Sequence, residues 1–147
     1  MTAEPDDDAR WRKAAAALPG FTFGDDPDVV NELGALAASG VKTATCGLKS
    51  EYDAAGGPPV AGDRAVVLDS RKRPWCVIEF TEVTVKRFGE IDARFAHDEG
   101  EGDRSHALWR KVHVDYFSPR DPEFSDETWI VCERFRLLYV FGDAGAA

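Results

Sequence analysis

The stretch Ser39-Gly40-Val41-Lys42-Thr43-Ala44-Thr45-Cys46-Gly47-Leu48 decides how this chain folds. A helical pattern stops at Gly40 and a strand pattern starts at Val41. The helix is legible upstream. Asp25 and Asp26 before Pro27 form a start signal, an acidic cap followed by proline in the first turn. Val29, Val30, Leu33, Leu36 and Ala37 then recur at the spacing of one buried helix face. Downstream, side chains on an extended strand alternate between faces, so Lys42 would pair with Ala44 and Thr43 with Thr45. A bulge at Gly40 would instead turn Lys42 and Thr45 toward a common cleft. The plain alternative is a helix-to-strand connection with a solvent-facing lysine.

Working outward, an N-terminal helix is expected from Asp6 to Leu18, with Trp11 packed on the body and Pro19-Gly20 as its stop. Lys49 to Gly62 reads as a loop around Gly56-Gly57-Pro58-Pro59. Within it, Tyr52 either stacks on a base or covers the core edge. Strands follow at 64–69, 75–87 and 128–140. Glu79, inside an apolar run, requires a partner such as Arg134 or Arg136. A short helix is expected over 89–95, then an acidic loop from His97 to Asp103, then a helix capped by Asp103 and running from Arg104 to Phe117. Trp109, His113 and Tyr116 form a stripe at i, i+4, i+7, more in keeping with core than with a binding platform. The order of elements gives an α+β class, with too few strands for a full barrel unless loops hide more.

Composition narrows the function classes. The chain has 147 residues, 44% hydrophobic and 31% charged, which suits one domain with a real core. No apolar run approaches the roughly 20 residues that span a bilayer, and residues 1–8 lack the pattern of a signal peptide, so a cytoplasmic location is expected, with no membrane partner. A net charge of −9 argues against extended duplex nucleic acid. Arg71-Lys72-Arg73 and Lys86-Arg87 are the local basic exceptions. Cys46, Cys76 and Cys132 have no C-x-x-C spacing and read as buried free thiols. Asp98, Glu99, Glu101 and Asp103 do not match an EF-hand, and His97, His106 and His113 lack ligand spacing, with His106 and His113 read as a surface pair. No metal and no cofactor are expected.

The motif Gly40-x-Lys42-x-x-Thr45 resembles the signature of the ASCH domain family, related to the PUA domain. The resemblance extends through Val60-Ala61-Gly62-Asp63, Ala65-Val66-Val67-Leu68, the segment from Phe95 to Ser105, Trp109-Arg110 and Val131-Cys132-Glu133-Arg134-Phe135, in the manner of the longer bacterial branch. It implies a small PUA-like β-barrel with flanking helices over 21–141, preceded by a helical extension over 1–20 and followed by a frayed tail over 142–147. Many relatives carry arginine where this chain has Gly47, so a contact assigned to that arginine does not transfer.

The resemblance also implies chemistry. Some small ASCH proteins are amidohydrolases that deacetylate N4-acetylcytidine with a lysine, a threonine and a glutamate. Lys42 and Thr45 match at the motif, and Glu99 by its place in the Ala-x-x-Glu segment. In that reading a lysine with a pKa lowered by burial takes the threonine proton, and the glutamic acid protonates the leaving amine or orients water. Single-stranded RNA cleavage is the alternative, with Lys42 and either Arg104 or Arg110 supplying charge for the phosphate and Tyr52 or Trp109 stacking a base. A non-catalytic RNA-binding module is the third. The expected partner is a modified nucleoside or a short single-stranded RNA.

Overall fold

The computed structural model describes residues 5–145. Helix α1 (Pro5–Ala15) lies ahead of a two-residue strand, β1 (Gly20–Phe21), and helix α2 (Pro27–Ala38). Strand β2 (Ala44–Leu48) leads directly into helix α3 (Lys49–Ala54). Strands β3 (Arg64–Leu68) and β4 (Pro74–Arg87) follow, then helices α4 (Ala93–Glu99) and α5 (His106–Phe117), and strand β5 (Trp129–Val140) closes the order. The class is α+β, with the five strands in one mixed sheet, β1-β3-β4-β5-β2. β1 runs parallel to β3, and every other pairing is antiparallel. The sheet does not close into the expected barrel. Its outer strands, β1 and β2, are short and lie at opposite ends of the order.

Helix α2 begins as the sequence implies, with the Asp26 carboxylate accepting from the Asp28 and Val29 amides. It ends at Gly40, whose φ of 83° is left-handed backbone that glycine adopts without a Cβ penalty. The amides of Val41 and Lys42 both turn back to the Leu36 carbonyl, at 3.0 and 3.1 Å. Strand pairing therefore starts at Ala44 and not at Val41. Lys42 sits in the turn between helix and strand, free of the strand's alternation.

Two other boundaries shift. The segment after β2, expected as loop, opens with helix α3, braced by a Lys49–Asp53 pair at i, i+4. The expected 89–95 helix splits into a 3₁₀ turn at Phe88–Glu90 and helix α4, capped by Asp92 accepting from the Phe95 amide at 2.9 Å. The residues expected as an acidic loop thus begin inside a helix, and Glu99 is its last, buried residue. Ser105 rather than Asp103 caps α5, accepting from the Leu108 amide at 3.1 Å.

The sheet buries both faces. Helices α4 and α5 pack Phe95, Ala96, Trp109 and Phe117 against Ala44, Leu48 and Ile130. On a second side Phe23 and Ala37 pack against Ala65, Val67, Ile78 and Phe135. The N-terminal helix is docked as expected, with Trp11 stacked on Tyr139 at 5.6 Å. Glu79 finds Arg136 at 2.7 Å and Arg64 at 3.3 Å, while Arg134 goes elsewhere. The tail is tied down as far as it is described. Asp143 accepts from Arg12 at 2.8 Å, and the Gly145 amide donates to Asp69 at 3.1 Å. Ala146 and Ala147, and the first residues of the expected extension, lie outside the described residues.

Candidate active site

The turn after Gly40 and the end of α4 meet at the sheet edge. The Thr43 amide donates to the Asp98 carbonyl at 2.8 Å, and Arg134 on β5 holds the Asp98 carboxylate at 2.6 Å. Gly100, with φ 77°, lies flat against the Lys42 turn. These contacts bring Lys42, Thr45 and Glu99 to one cavity of about 130 Å³, whose walls also include Phe23, Cys46, Glu101, His113 and Tyr116. A neighbouring groove of about 310 Å³ shares Phe23, Thr45, Cys46 and Tyr116 and adds Tyr52 and Leu48.

Lys42 is 1% exposed. Its ammonium lies 3.3 Å from both the Glu99 carbonyl and Glu99 Oε1, 3.0 Å from Glu101 Oε2, and over the Phe23 ring at 5.1 Å. Burial pulls its pKa down, but Glu99 and Glu101 outweigh burial, so the net shift is upward. Lys42 is thus a fixed cation. The expected mechanism, in which a neutral lysine takes the threonine proton, does not suit this environment. The Thr45 hydroxyl has no protein partner among the described residues, which leaves it available inside the cavity.

Glu99 is the centre of the constellation. Its Oε1 takes Lys42. Its Oε2 accepts from the Trp109 indole N–H, faces the Cys46 thiol at 3.4 Å and lies 3.3 Å from His113 Nε2. Burial first, and then the Glu99 charge, push the Cys46 thiol well above its ordinary range. Cys46 and His113 are functional candidates that the sequence reading passed over. His113 is buried, in contrast to the surface pair expected with His106.

The expected substrate contacts divide. Tyr52 lines the groove, but its hydroxyl donates to Glu133, and Gly47 makes room for its ring. A Cβ at Gly47 would stand 2.7 Å from Tyr52 Cε2, so the Tyr52 ring fills the space a side chain at position 47 would need. Trp109 is 5% exposed, between Phe88 and His113, and positions Glu99 rather than offering a free face. Arg104 donates to the His97 carbonyl at 2.9 Å, and Arg110 to Asp126 at 2.7 Å. Neither arginine lines the cavity or the groove.

Glu133, across from Thr45 in the β2–β5 register, is also buried. Burial pushes its pKa up to about 7, with the Tyr52 hydroxyl working against the shift and the Glu99 charge adding to it. The ordinary value is 4.5, so the folded chain keeps a proton that the unfolded chain releases between 4.5 and about 7. Stability from this group is full below that window and is lost as pH rises through it, by about 3 kcal/mol. Glu133→Gln is expected to flatten this component. Urea unfolding at pH 5 and pH 8 checks it; an unchanged pH dependence in the variant contradicts it.

No protein of curated function matches this sequence. Among solved structures, an ASCH domain from Lactobacillus crispatus is similar at 29% identity and a TM-score of 0.76, covering 87% of this chain and 84% of that one. A protein from Enterococcus faecalis is similar at 26% identity and a TM-score of 0.76, covering 91% and 93%. An ASCH protein from Zymomonas mobilis shares the fold at 11% identity and a TM-score of 0.53, covering 85% and 73%. The ASCH domain model matches residues 20–139, and with it the Lys42 turn, α4, α5 and the long β4–β5 pair. The chain belongs to the ASCH domain family.

Proposed function

We propose that the protein binds an uncharged pyrimidine-type nucleoside in this cavity and hydrolyses an acyl group from its exocyclic amine. The carrying observation is the convergence of Lys42, Thr45 and Glu99 on one partly enclosed cavity, with an unpartnered hydroxyl at Thr45. The cavity and groove together give room for a base and a sugar, with Phe23 and Tyr116 as apolar walls. The Thr45 hydroxyl attacks the acyl carbonyl and its proton passes to Glu99. Glu99 delivers that proton to the leaving amine as the carbon–nitrogen bond breaks. Water then hydrolyses the threonine ester, releasing the acid and restoring the hydroxyl. Lys42 remains charged and stabilises the developing oxyanion.

Acetate release from N4-acetylcytidine tests this reading. Thr45→Val, which keeps the side-chain shape, is expected to lower the rate by at least about 100-fold, with unchanged thermal unfolding. Equal turnover by wild type and variant, or none by wild type, contradicts it.

One observation favours single-stranded RNA as a second reading. Lys86, Arg94 and Arg134, the last already paired with Asp98, line with Glu82 a polar concavity of about 360 Å³ on the sheet face beside α4, a net basic spot on an acidic chain. Such a patch suits a phosphate backbone, and its affinity would fall steeply with salt.

A further inference from the structure

We infer that Cys46, Glu99 and His113 form a binding site for a zinc-type divalent cation. Cys46 Sγ, a Glu99 carboxylate oxygen and a His113 ring nitrogen all lie within 4.8 Å of one another. Two of the three separations already match. Bonds of about 2.0–2.3 Å to a tetrahedral ion place neighbouring ligands roughly 3.3–3.7 Å apart. Cys46 Sγ is 3.4 Å from Glu99 Oε2, and His113 Nε2 is 3.3 Å from the same oxygen.

The hydrogen bonding around His113 points the same way. Its Nδ1 lies 2.8 Å from the Trp109 carbonyl, which only accepts, so Nδ1 carries the hydrogen. In the neutral ring Nε2 is then a bare lone pair aimed at a carboxylate oxygen. Glu99 Oε2 already accepts from the Trp109 indole N–H, but toward Nε2 two acceptors face each other, and a cation between them resolves that contact. A backbone carbonyl on the second ring nitrogen is also how metal-bound histidines are oriented. The competing occupant is a proton, which makes His113 an imidazolium paired with Glu99. The thiol decides between them, because a proton on His113 needs no sulfur, whereas nitrogen, carboxylate and sulfur together select a borderline-soft ion.

All three groups line the cavity that also holds Thr45. The fourth coordination position is left to water or a ligand from the cavity. Lys42 stays on Oε1, away from the oxygen that meets the ion. Binding displaces the Cys46 proton to solvent as the sulfur–metal bond forms. A Glu99 that holds the ion through Oε2 and Lys42 through Oε1 has no oxygen left for the Thr45 proton, so the metal-bound form is distinct from the state that runs the nucleoside reaction, and metal binding is read with no substrate present.

The test is cobalt(II) titration of the full chain after treatment with a chelator. One equivalent is expected to raise a thiolate-to-cobalt charge-transfer band with the visible absorption of a tetrahedral site, and zinc is expected to erase it. Cys46→Ser is expected to remove the charge-transfer band. Cys132→Ser is expected to keep it, which also guards against a sulfur other than Cys46. Wild type without the band, or Cys46→Ser with the band intact, overturns the inference and leaves the His113–Glu99 ion pair. Thermal unfolding gives a second reading that survives a poorly folded variant. Wild-type unfolding is expected to move upward with added zinc, and no movement counts against the site.

Discussion

Glu99→Ala is expected to destabilise the fold by ~3–5 kcal/mol, the cost of removing one partner of a buried ion pair. Lys42 is fully buried and two of its three polar contacts come from Glu99. The backbone carbonyl survives the substitution, but the carboxylate does not. Glu101, whose side chain is 23% exposed, remains as the sole counter-charge. The Trp109 indole N–H loses its acceptor at the same time. Replacing Lys42 and Glu99 together, as Lys42→Met with Glu99→Leu, removes the charge and its partner at once. The double variant is therefore expected to lose less stability than Glu99→Ala alone. Urea unfolding in the presence of a chelator measures both. A cost below about 1 kcal/mol for Glu99→Ala would mean that Lys42 is not held by this pair.

Gly100→Ala is the second large effect, at ~2–4 kcal/mol. Backbone at φ 77° costs an L-residue about 1–2 kcal/mol. The added Cβ would also stand 3.0 Å from the Val41 carbonyl oxygen and 3.1 Å from Lys42 Cα. Those are backbone atoms and do not rotate away. Either α4 or the Lys42 turn must move, so stability falls and the cavity around Lys42 is disturbed with it. Gly40→Ala makes a useful contrast, because its φ of 83° is similar but nothing lies within 4 Å of its Cβ. Gly40→Ala is expected to cost only the conformational part, and equal losses at the two positions would refute the steric account.

The sequence carried the fold class and the helix-to-strand junction because both rest on local signals. Asp26-Pro27, the apolar face of α2 and Gly40 agree with one another, and the structure uses all three. Helix α3 was illegible because six residues are too few to show a period, and Gly56-Gly57 after it read as loop. The burial of Glu99 was hidden by its neighbours. Asp98, Glu101 and Asp103 look like a solvated run, yet Phe95, Ala96 and Glu99 share the inward side of a helix that Asp92 caps. Cys46 and His113 come from a strand and a helix far apart in sequence, so only the fold joins them to Glu99. A signal for His113 was present in its stripe with Trp109 and Tyr116, which placed it on the inner face. The partners of Arg104 and Arg110, the His97 carbonyl and the Asp126 carboxylate, are set by the fold and carry no local sequence signal. Among the described residues no helix is long and apolar enough to cross a membrane.

The most direct test of the proposed nucleoside binding is calorimetric titration of N4-acetylcytidine into Thr45→Val, which separates binding from turnover. The account predicts one site per chain whose affinity hardly changes between low and high salt, since no phosphate is neutralised. Absence of binding, beside a short single-stranded RNA that binds and weakens steeply with salt, would contradict it.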